Sequence, residues 1–408
     1  MALHTIKELQ MRQRLPLEIK IRMSQQRIRE WISEYGEDGV YISFSGGKDS
    51  TVLLHLVREL YPNVRAVFVD TGLEYPEIRE FVKTFDNVDI VRPKMNFKQV
   101  IEKYGYPFIS KEVSKTVYYA RKHLTALLDE KKSNSNKGII GSSDFADLIG
   151  VDRRDNKDND DFTAIKNGKY LELKKVYENE KLIGNKIPCY SKIIFGELEH
   201  KEKGKLTGEY SRQYNRSKYK FFLGAPFEIS NACCDIMKKR PIKKYAKETN
   251  RVAITGQMAA ESQLRTQKWL KYGCNGFELK SPISNPLSFW TEQDILKYIK
   301  QNNIKICSVY GDIVVDYGSE DQFAGQLDFS DLGLMTDNRK YKTTGCSRTG
   351  CMFCGFGCHL DNDQRFVQMK KTHPKQYDYI MRPKEQGGLN YKEVIDWINA
   401  NSDLNIKY

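Results

Sequence analysis

Over its first ninety residues the chain alternates short apolar runs with helix-length segments. Apolar positions Ile19, Ile21, Met23, Ile28, Trp31 and Ile32 recur at roughly helical spacing and predict a helix from Leu17 to Tyr35. Val40 to Phe44 is an unbroken β-prone run, which predicts a buried strand. The next segment carries Val52, Leu53, Leu54, Leu56, Val57 and Leu60 and predicts a helix. Residues 64–69 read as a second buried strand, closed by the turn-prone Asp70-Thr71-Gly72. A helix over 77–84 and a strand over 88–91 continue the pattern. Alternation of this kind predicts an α/β fold: a parallel twisted sheet, helices on both faces and a ligand at the strands' carboxyl ends. Ser45 and Asp70 both fall at such ends.

Near Asp129 the character changes. Residues 131–137 and 152–161 are polar, have little to bury, and read as loops or exposed insertions. From 166 to 220 lysines and tyrosines interleave. Basic residues grip phosphates while aromatics stack bases, so the stretch reads as a nucleic-acid contact. The alternative is a domain edge with lysine stems lying over aromatic surface. Regular alternation returns with a strand over 251–255, closed by Gly256. A helix from Thr291, its N-cap, to Gln301 follows. Residues 366–398 read as helix in two pieces, broken near Pro383 and Gly387-Gly388. These changes divide the chain into 1–124 (first helix and nucleotide-binding half), 125–217 (basic and aromatic insertion), 218–330 (the rest of the α/β domain) and 331–408 (cysteine-rich helical extension).

A formal net charge of +13 implies anionic partners, or simply a lysine-rich solvated surface. Hydrophobic content of 40% and charged content of 29% are ordinary for a soluble protein. No apolar run approaches the ~20 residues that span a bilayer, and the first residues lack a signal-peptide core. The expectation is a cytoplasmic protein with no membrane partner. Nine cysteines in a reducing compartment are not expected to form structural disulfides, and clustered ones bind metal more often.

Two groups of residues carry chemistry. Ser45-Gly46-Gly47-Lys48-Asp49-Ser50 follows the first strand and opens a helix. Its glycines let the backbone approach an anion, the helix N-terminus favours a phosphate, and Lys48, Ser45 and Ser50 add a cation and two hydroxyls. Asp49 either positions a metal or caps the helix. The second group is Cys233-Cys234 with the later Cys351 and Cys354, a C-x-x-C. Two thiolate pairs suffice for zinc or an iron–sulfur cluster. Adjacent cysteines are awkward for one tetrahedral zinc but can serve separate irons, which favours iron–sulfur and leaves zinc the lesser alternative. Cys346 and Cys358-His359 are extra. Cys189, Cys274 and Cys307 read as packing residues.

The loop string resembles the signature of the PP-loop ATP pyrophosphatases, which have an adenine nucleotide α-hydrolase-like fold. Within them, the chain is similar to the phosphoadenylyl-sulfate (PAPS) reductase family. The matching segments are residues 69–77, Cys233-Cys234, residues 254–256 through Glu261, Ser262 and Arg265, Asn285-Pro286-Leu287 with Trp290, Thr291 and Asp294, and residues 350–354. The resemblance implies that Ser45, Gly46, Gly47, Lys48, Asp49 and Ser50 hold the β and γ phosphates of ATP with Mg²⁺. It implies that Asp70, Thr71 and Gly72 face the adenosine part, and that Cys233, Cys234, Cys351 and Cys354 ligate a [4Fe–4S] cluster. Lys48, Asp49 and Arg265 would act in catalysis, although Arg265 pairing with Glu261 is the plainer reading of that residue.

The pattern also departs from the reductases. They use a cysteine in a Glu-Cys-Gly-Leu tail, and this chain has no cysteine after Cys358. They place arginines after the Ile-Thr-Gly strand, where Gln257-Met258-Ala259-Ala260 stands here. The loop they commonly alter is complete. That combination looks closer to sulfur-inserting relatives such as DNA phosphorothioation enzymes and cluster-dependent tRNA thiolases. The expectation is an enzyme that adenylylates its substrate, converting ATP to AMP and pyrophosphate, and supports sulfur transfer. A nucleic-acid substrate reached through the insertion and a sulfur donor such as a cysteine desulfurase are the implied partners. The alternatives are a sulfonucleotide reductase using Cys346 or Cys358, and a nucleotide- or nucleic-acid-binding regulatory protein without turnover.

Overall fold

The computed structural model describes residues 3–136, 165, 167–202, 204–317, 339–360 and 362–408. The polar stretch 152–161 lies outside them. The strands in chain order are β1 (Val40–Ser43), β2 (Ala66–Val69), β3 (Val88–Val91), β4 (Phe108–Ile109), β5 (Glu199–Glu202), β6 (Lys205–Tyr210), β7 (Val252–Ile254), β8 (Asn275–Gly276), β9 (Ile283–Ser284), β10 (Ile313–Val315), β11 (Tyr341–Thr343) and β12 (Gly355–Phe356). The chain forms two units, each discontinuous in sequence, whereas the sequence reading cut it into consecutive segments. One comprises Met1–Lys94 with Met237–Cys351, the other Met95–Ile236 with Met352–Tyr408.

The first unit is the α/β layer structure read from the hydrophobic pattern. Its six-stranded sheet runs β3-β2-β1-β7-β9-β8, parallel except where β8 meets β9. Because side chains alternate along a strand, Val40, Ile42, Ala66 and Phe68 join one core. Helices Leu17–Tyr35, Lys48–Leu60, Pro76–Lys83 and Glu292–Gln301 supply much of the rest, joined by residues such as Trp269, Phe289 and Trp290. Tyr41 and Val67 face the other way, against Tyr245 of helix Arg240–Thr249. Both faces are therefore covered by helices. Thr291 caps its helix as the sequence indicates, accepting from the Asp294 N–H in a capping box. The chain leaves β1 outward through β2 and β3, and resumes on β1's other side at β7. That reversal of direction marks the crevice where α/β sheets bind ligands.

In the second unit, helix Lys111–Asn136 packs with helices Gly168–Leu182 and Cys189–Phe195. This corrects the loop assigned over 131–136. Glu130, Lys131 and Lys132 are good helix formers, and Lys131 pairs with Glu180 at 2.8 Å. It also reassigns part of the lysine–tyrosine pattern, since Tyr170 and Tyr177 are buried core residues rather than surface. The C-terminal region has three helices, Arg365–Thr372, Pro374–Met381 and Tyr391–Ala400, not two. The additional break falls at His373, ahead of a proline in a first-turn position that suits it. Among the described residues no helix is long and apolar enough to cross a membrane.

Candidate active site

Gly46 makes the turn between β1 and helix Lys48–Leu60 possible. Its φ is +71°, and a Cβ there would meet Ile78 and Val82 at 2.9 Å. A Gly46→Ala variant should lose about 2 kcal/mol or more, from left-handed backbone and overpacking together. Chemical denaturation reads the loss, and an unshifted midpoint would mean that the loop relaxes freely. Gly47 is the helix N-cap, with no side-chain capping bond. Its carbonyl accepts from the hydroxyls of Ser50 (2.9 Å) and Thr51 (3.1 Å), while Ser45 Oγ and Ser50 Oγ lie 3.1 Å apart. Asp49 does not cap the helix. Its Oδ1 is buried with no hydrogen-bond partner, 3.9 Å from Lys48 Nζ. Burial pushes the Asp49 carboxyl up against the opposing pull of Lys48, Arg348 and Arg265.

Lys48 is almost wholly buried, and its Nζ donates to Ser347 O at 2.6 Å and pairs with Glu292 at 3.0 Å. The Lys48 amide donates to the Tyr310 hydroxyl at 3.1 Å, which lies 2.6 Å from Thr349 Oγ1. Burial pushes the Tyr310 phenol up to about 12, so it stays protonated at neutral pH. Arg265 and Arg348 both pair with Glu261. The Arg265–Glu261 pair was legible in the sequence. Lys48, Ser45, Ser50, Arg265, Arg348 and Thr349 line one cavity of about 350 Å³. A second, of about 340 Å³, shares Ser43, Ser45, Gln257 and Thr349 with it, and has Phe44, Val67, Phe68 and Ile78 among its walls. A polar, cationic compartment thus adjoins a slot of mixed character at the carboxyl ends of β1 and β2, with Glu74, Lys238 and Lys239 beside its apolar walls.

Asp70, Thr71 and Gly72 close β2 beside this slot, but none of the three lines either cavity. Asp70 is bonded by Arg79 (3.0 Å) and Arg92 (3.1 Å), and Thr71 Oγ1 donates to Glu74 at 2.7 Å. Their side chains build the turn, and Glu74 is the residue it presents to the slot. Burial alone would raise the Asp70 carboxyl, but the two arginines more than offset it and hold it below its ordinary value. The unfolded chain then binds that proton more tightly. Stability from this group is present at neutral pH and is lost as pH falls from about 4 through the lower folded value. Asp70→Asn should melt below the wild type at pH 7, with the gap narrowing in acid. A gap independent of pH would show that the charge contributes nothing.

The cysteines divide between the units. Cys233, Cys234, Cys354 and Cys358 belong to the second, and Cys351 is the last residue of the first before the chain crosses. In the second unit, Tyr106 bridges to Ile229 and β4 pairs with β12, so one backbone segment carries both cysteine-bearing stretches. Gly355 is required there, because a Cβ would lie 2.7 Å from Phe108 and 2.8 Å from the Pro107 carbonyl. Ile109, a β-branched residue at φ +67°, accepts from the Gly357 N–H at 2.7 Å, a strained conformation of the kind that gathers at functional sites. The Sγ atoms of Cys233 and Cys234 are 4.0 Å apart. Burial raises the Cys354 thiol, with Cys234 adding to the rise and Arg365 opposing it. Burial pushes Cys358 up to about 12. Arg365 donates to the Cys354 carbonyl at 2.7 Å and is itself held by Asp363.

Among the described residues no three His, Cys, Asp or Glu side chains stand ready around a single metal ion. None of the nine cysteines is disulfide-bonded. Cys274 and Cys307 are buried, as packing residues should be, but Cys189 is exposed at the start of its helix. Cys346 lies in the first unit, its Sγ 3.9 Å from the Tyr75 hydroxyl. Sequence reasoning missed Tyr310, Thr349, Arg348 and Glu292. Only Arg348-Thr349-Gly350, placed just before the C-x-x-C, carries a signal, a basic residue beside a glycine.

The sequence model described as "Phosphoadenosine phosphosulfate reductase domain" matches residues 39–130 and 161–355. An uncharacterized protein of Methanocaldococcus jannaschii is 40% identical over 70 residues, 16% of this chain and 17% of that one. A phosphoadenosine 5'-phosphosulfate reductase of Xylella fastidiosa is 37% identical over 68 residues, 17% of this chain and 27% of that one. The matched stretch thus spans about a quarter or less of the length of these relatives. A solved PAPS reductase from Candida auris, in a phosphate complex, aligns with 70% of this chain and 82% of its own at 12% identity and a TM-score of 0.32. At that level of similarity it supports no inference about this chain.

Proposed function

The chain belongs to the phosphoadenosine phosphosulfate reductase domain family, and on that premise we propose that it is an enzyme that splits ATP into AMP and pyrophosphate to adenylylate its substrate for sulfur transfer. The observation that carries the reading is the complete glycine loop at the sheet's reversal point. There Lys48, Arg265 and Arg348 line a cavity beside a slot that has apolar walls in Phe44, Val67, Phe68 and Ile78. The slot suits an adenine ring, and the cationic compartment suits the phosphates. A substrate oxygen attacks the α-phosphorus, the bond to the bridging oxygen breaks, and pyrophosphate leaves with the electron pair. Lys48 and Arg348 neutralise charge developing on the leaving oxygens, and the Tyr310 hydroxyl fixes the loop amide behind them. The buried, unbonded Asp49 Oδ1 fits a magnesium ligand, and Asp49 would hold Mg²⁺ against the phosphates.

The thiol-only donor set of Cys233, Cys234 and Cys354 fits a soft-metal centre, iron–sulfur before zinc. We place the sequence-derived ligands Cys233, Cys234, Cys351 and Cys354 in that role, with Cys358 beside Cys354 as a further thiol of the same unit. Such a centre would supply sulfide or electrons for sulfur transfer.

A reductase reading is favoured by the names of the Xylella relatives, and Gln257-Met258-Ala259-Ala260 weighs against it. The test compares two turnovers with the same preparation. AMP and pyrophosphate from MgATP support adenylylation, whereas sulfite from phosphoadenylyl sulfate with a thiol reductant and none from ATP would replace it with reduction.

A further inference from the structure

A third cavity, of about 660 Å³, lies in the first unit against the sheet face that carries Tyr41 and Ala253. Helices Arg240–Thr249 and Gln263–Tyr272 contribute to its walls. It is nearly twice the size of either compartment described above, and it shares Ser43, Thr255, Gln257 and Arg265 with the loop cavity. Five cations line it, Lys239, Lys243, Arg265, Lys268 and Lys280, and no carboxylate does. Among the described residues only Arg265 of these five is in an ion pair. A lysine face that merely keeps a protein soluble has no need of an aromatic floor. This cavity has Tyr41, Trp269 and Tyr272 in its lining; the Trp269 ring is stacked on His4 and engaged by Arg12, and its indole N–H is buried with no hydrogen-bond partner. Uncompensated cations, flat rings and an unused donor together suit a ligand that is both anionic and aromatic.

We propose that this cavity binds a nucleotide unit, its phosphate held by Lys239, Lys243 and Lys280 and its base laid against Tyr272. Through Arg265 and Gln257 the bound unit reaches the compartment assigned to the ATP phosphates, so it is placed as the acceptor of the adenylyl group. Its role as acceptor rests on the ATP reading of the loop, but its binding does not. The sequence pattern placed nucleic-acid contact on the 166–220 insertion, and this cavity belongs to the other unit.

The experiment measures fluorescence anisotropy of a labelled twelve-nucleotide single strand on the full chain across a salt series. MgATP binding is measured alongside. Lys243→Glu with Lys280→Glu should weaken strand binding at least about tenfold and flatten the log–log salt slope by about two. MgATP affinity should stay within about twofold. Competition by uridine monophosphate would show that a free nucleotide suffices, and its failure to compete would show that a strand is required. Both outcomes support the site. The same reversal at Lys244 and Lys247, on the same helix but outside the cavity, should have little effect. Equal losses from the two pairs, or no strand binding by the wild type at low salt, would overturn the proposal. If the cavity variant loses the strand in a chain that never binds or splits ATP, the nucleotide site stands and the ATP reading falls instead.

Discussion

A Lys48→Ala variant is expected to lose AMP and pyrophosphate production by about 10²–10³-fold, the usual cost of removing one aimed charge from a charge-developing transition state. The expectation follows from placement. Lys48 is the loop's own cation, nearly sealed from solvent, and its Nζ is steered by Ser347 O and Glu292 rather than free to wander. An exposed lysine would be exchangeable with its neighbours, whereas one held in this way can serve only what enters the cavity. Folding should survive the change. Of the two carboxylates left behind, Glu292 is half exposed and remains hydrated, and the buried Asp49 keeps the pull of Arg348 and Arg265. A melting temperature within a few degrees of wild type would confirm that the loss is catalytic. Lys48→Arg should recover part of the rate if charge is what matters. Unchanged pyrophosphate release from a folded Lys48→Ala protein would remove the loop from the mechanism.

The second large effect concerns metal. After anaerobic reconstitution the wild-type chain is expected to carry about four irons with matching sulfide and a broad visible absorption. Cys354→Ser should cut that occupancy at least about tenfold. Cys354 is the sharper choice than its neighbours because its backbone is fixed, its carbonyl by Arg365 and the next residue by the pairing of β12 with β4. Cys189→Ser, at an exposed helix start, should leave the metal content alone. Cys358→Ser separates a structural thiol from a ligand, since only a ligand's loss lowers iron without lowering the melting temperature in proportion. One colourless zinc per chain would keep the thiol site and change its metal. Neither iron nor zinc in the reconstituted wild type would falsify the metal assignment outright.

Much of the sheet was readable because its signals are local. β1 and β2 are short apolar runs closed by turn residues, and Thr291 with Asp294 writes its own helix start. The run to Asn136 was hidden because its last turns are polar, and the ion pair to Glu180 comes from another helix. The break at His373 was hidden because a proline suits a helix start as well as a helix end. In the site, the loop was legible from six adjacent residues. The groups that complete it were not, since Tyr310 and Ser347 reach Lys48 from 262 and 299 positions away. Asp70 and Thr71 illustrate the opposite case. Their position at a strand's end was right, but the arginines and Glu74 that engage them cannot be seen in a linear pattern.

The sheet's central strand acquires its two neighbours at very different times. As the chain leaves the ribosome, β1 meets β2 within some two dozen residues, yet β7 is not made until Val252–Ile254. For most of that interval one side of β1 is an open ladder of unpaired amides and carbonyls, the arrangement that invites neighbouring nascent chains to pair. Fragments ending before residue 252 should therefore precipitate rather than accumulate as a folded half, and a stalled ribosome at that point is where a holdase would be needed most.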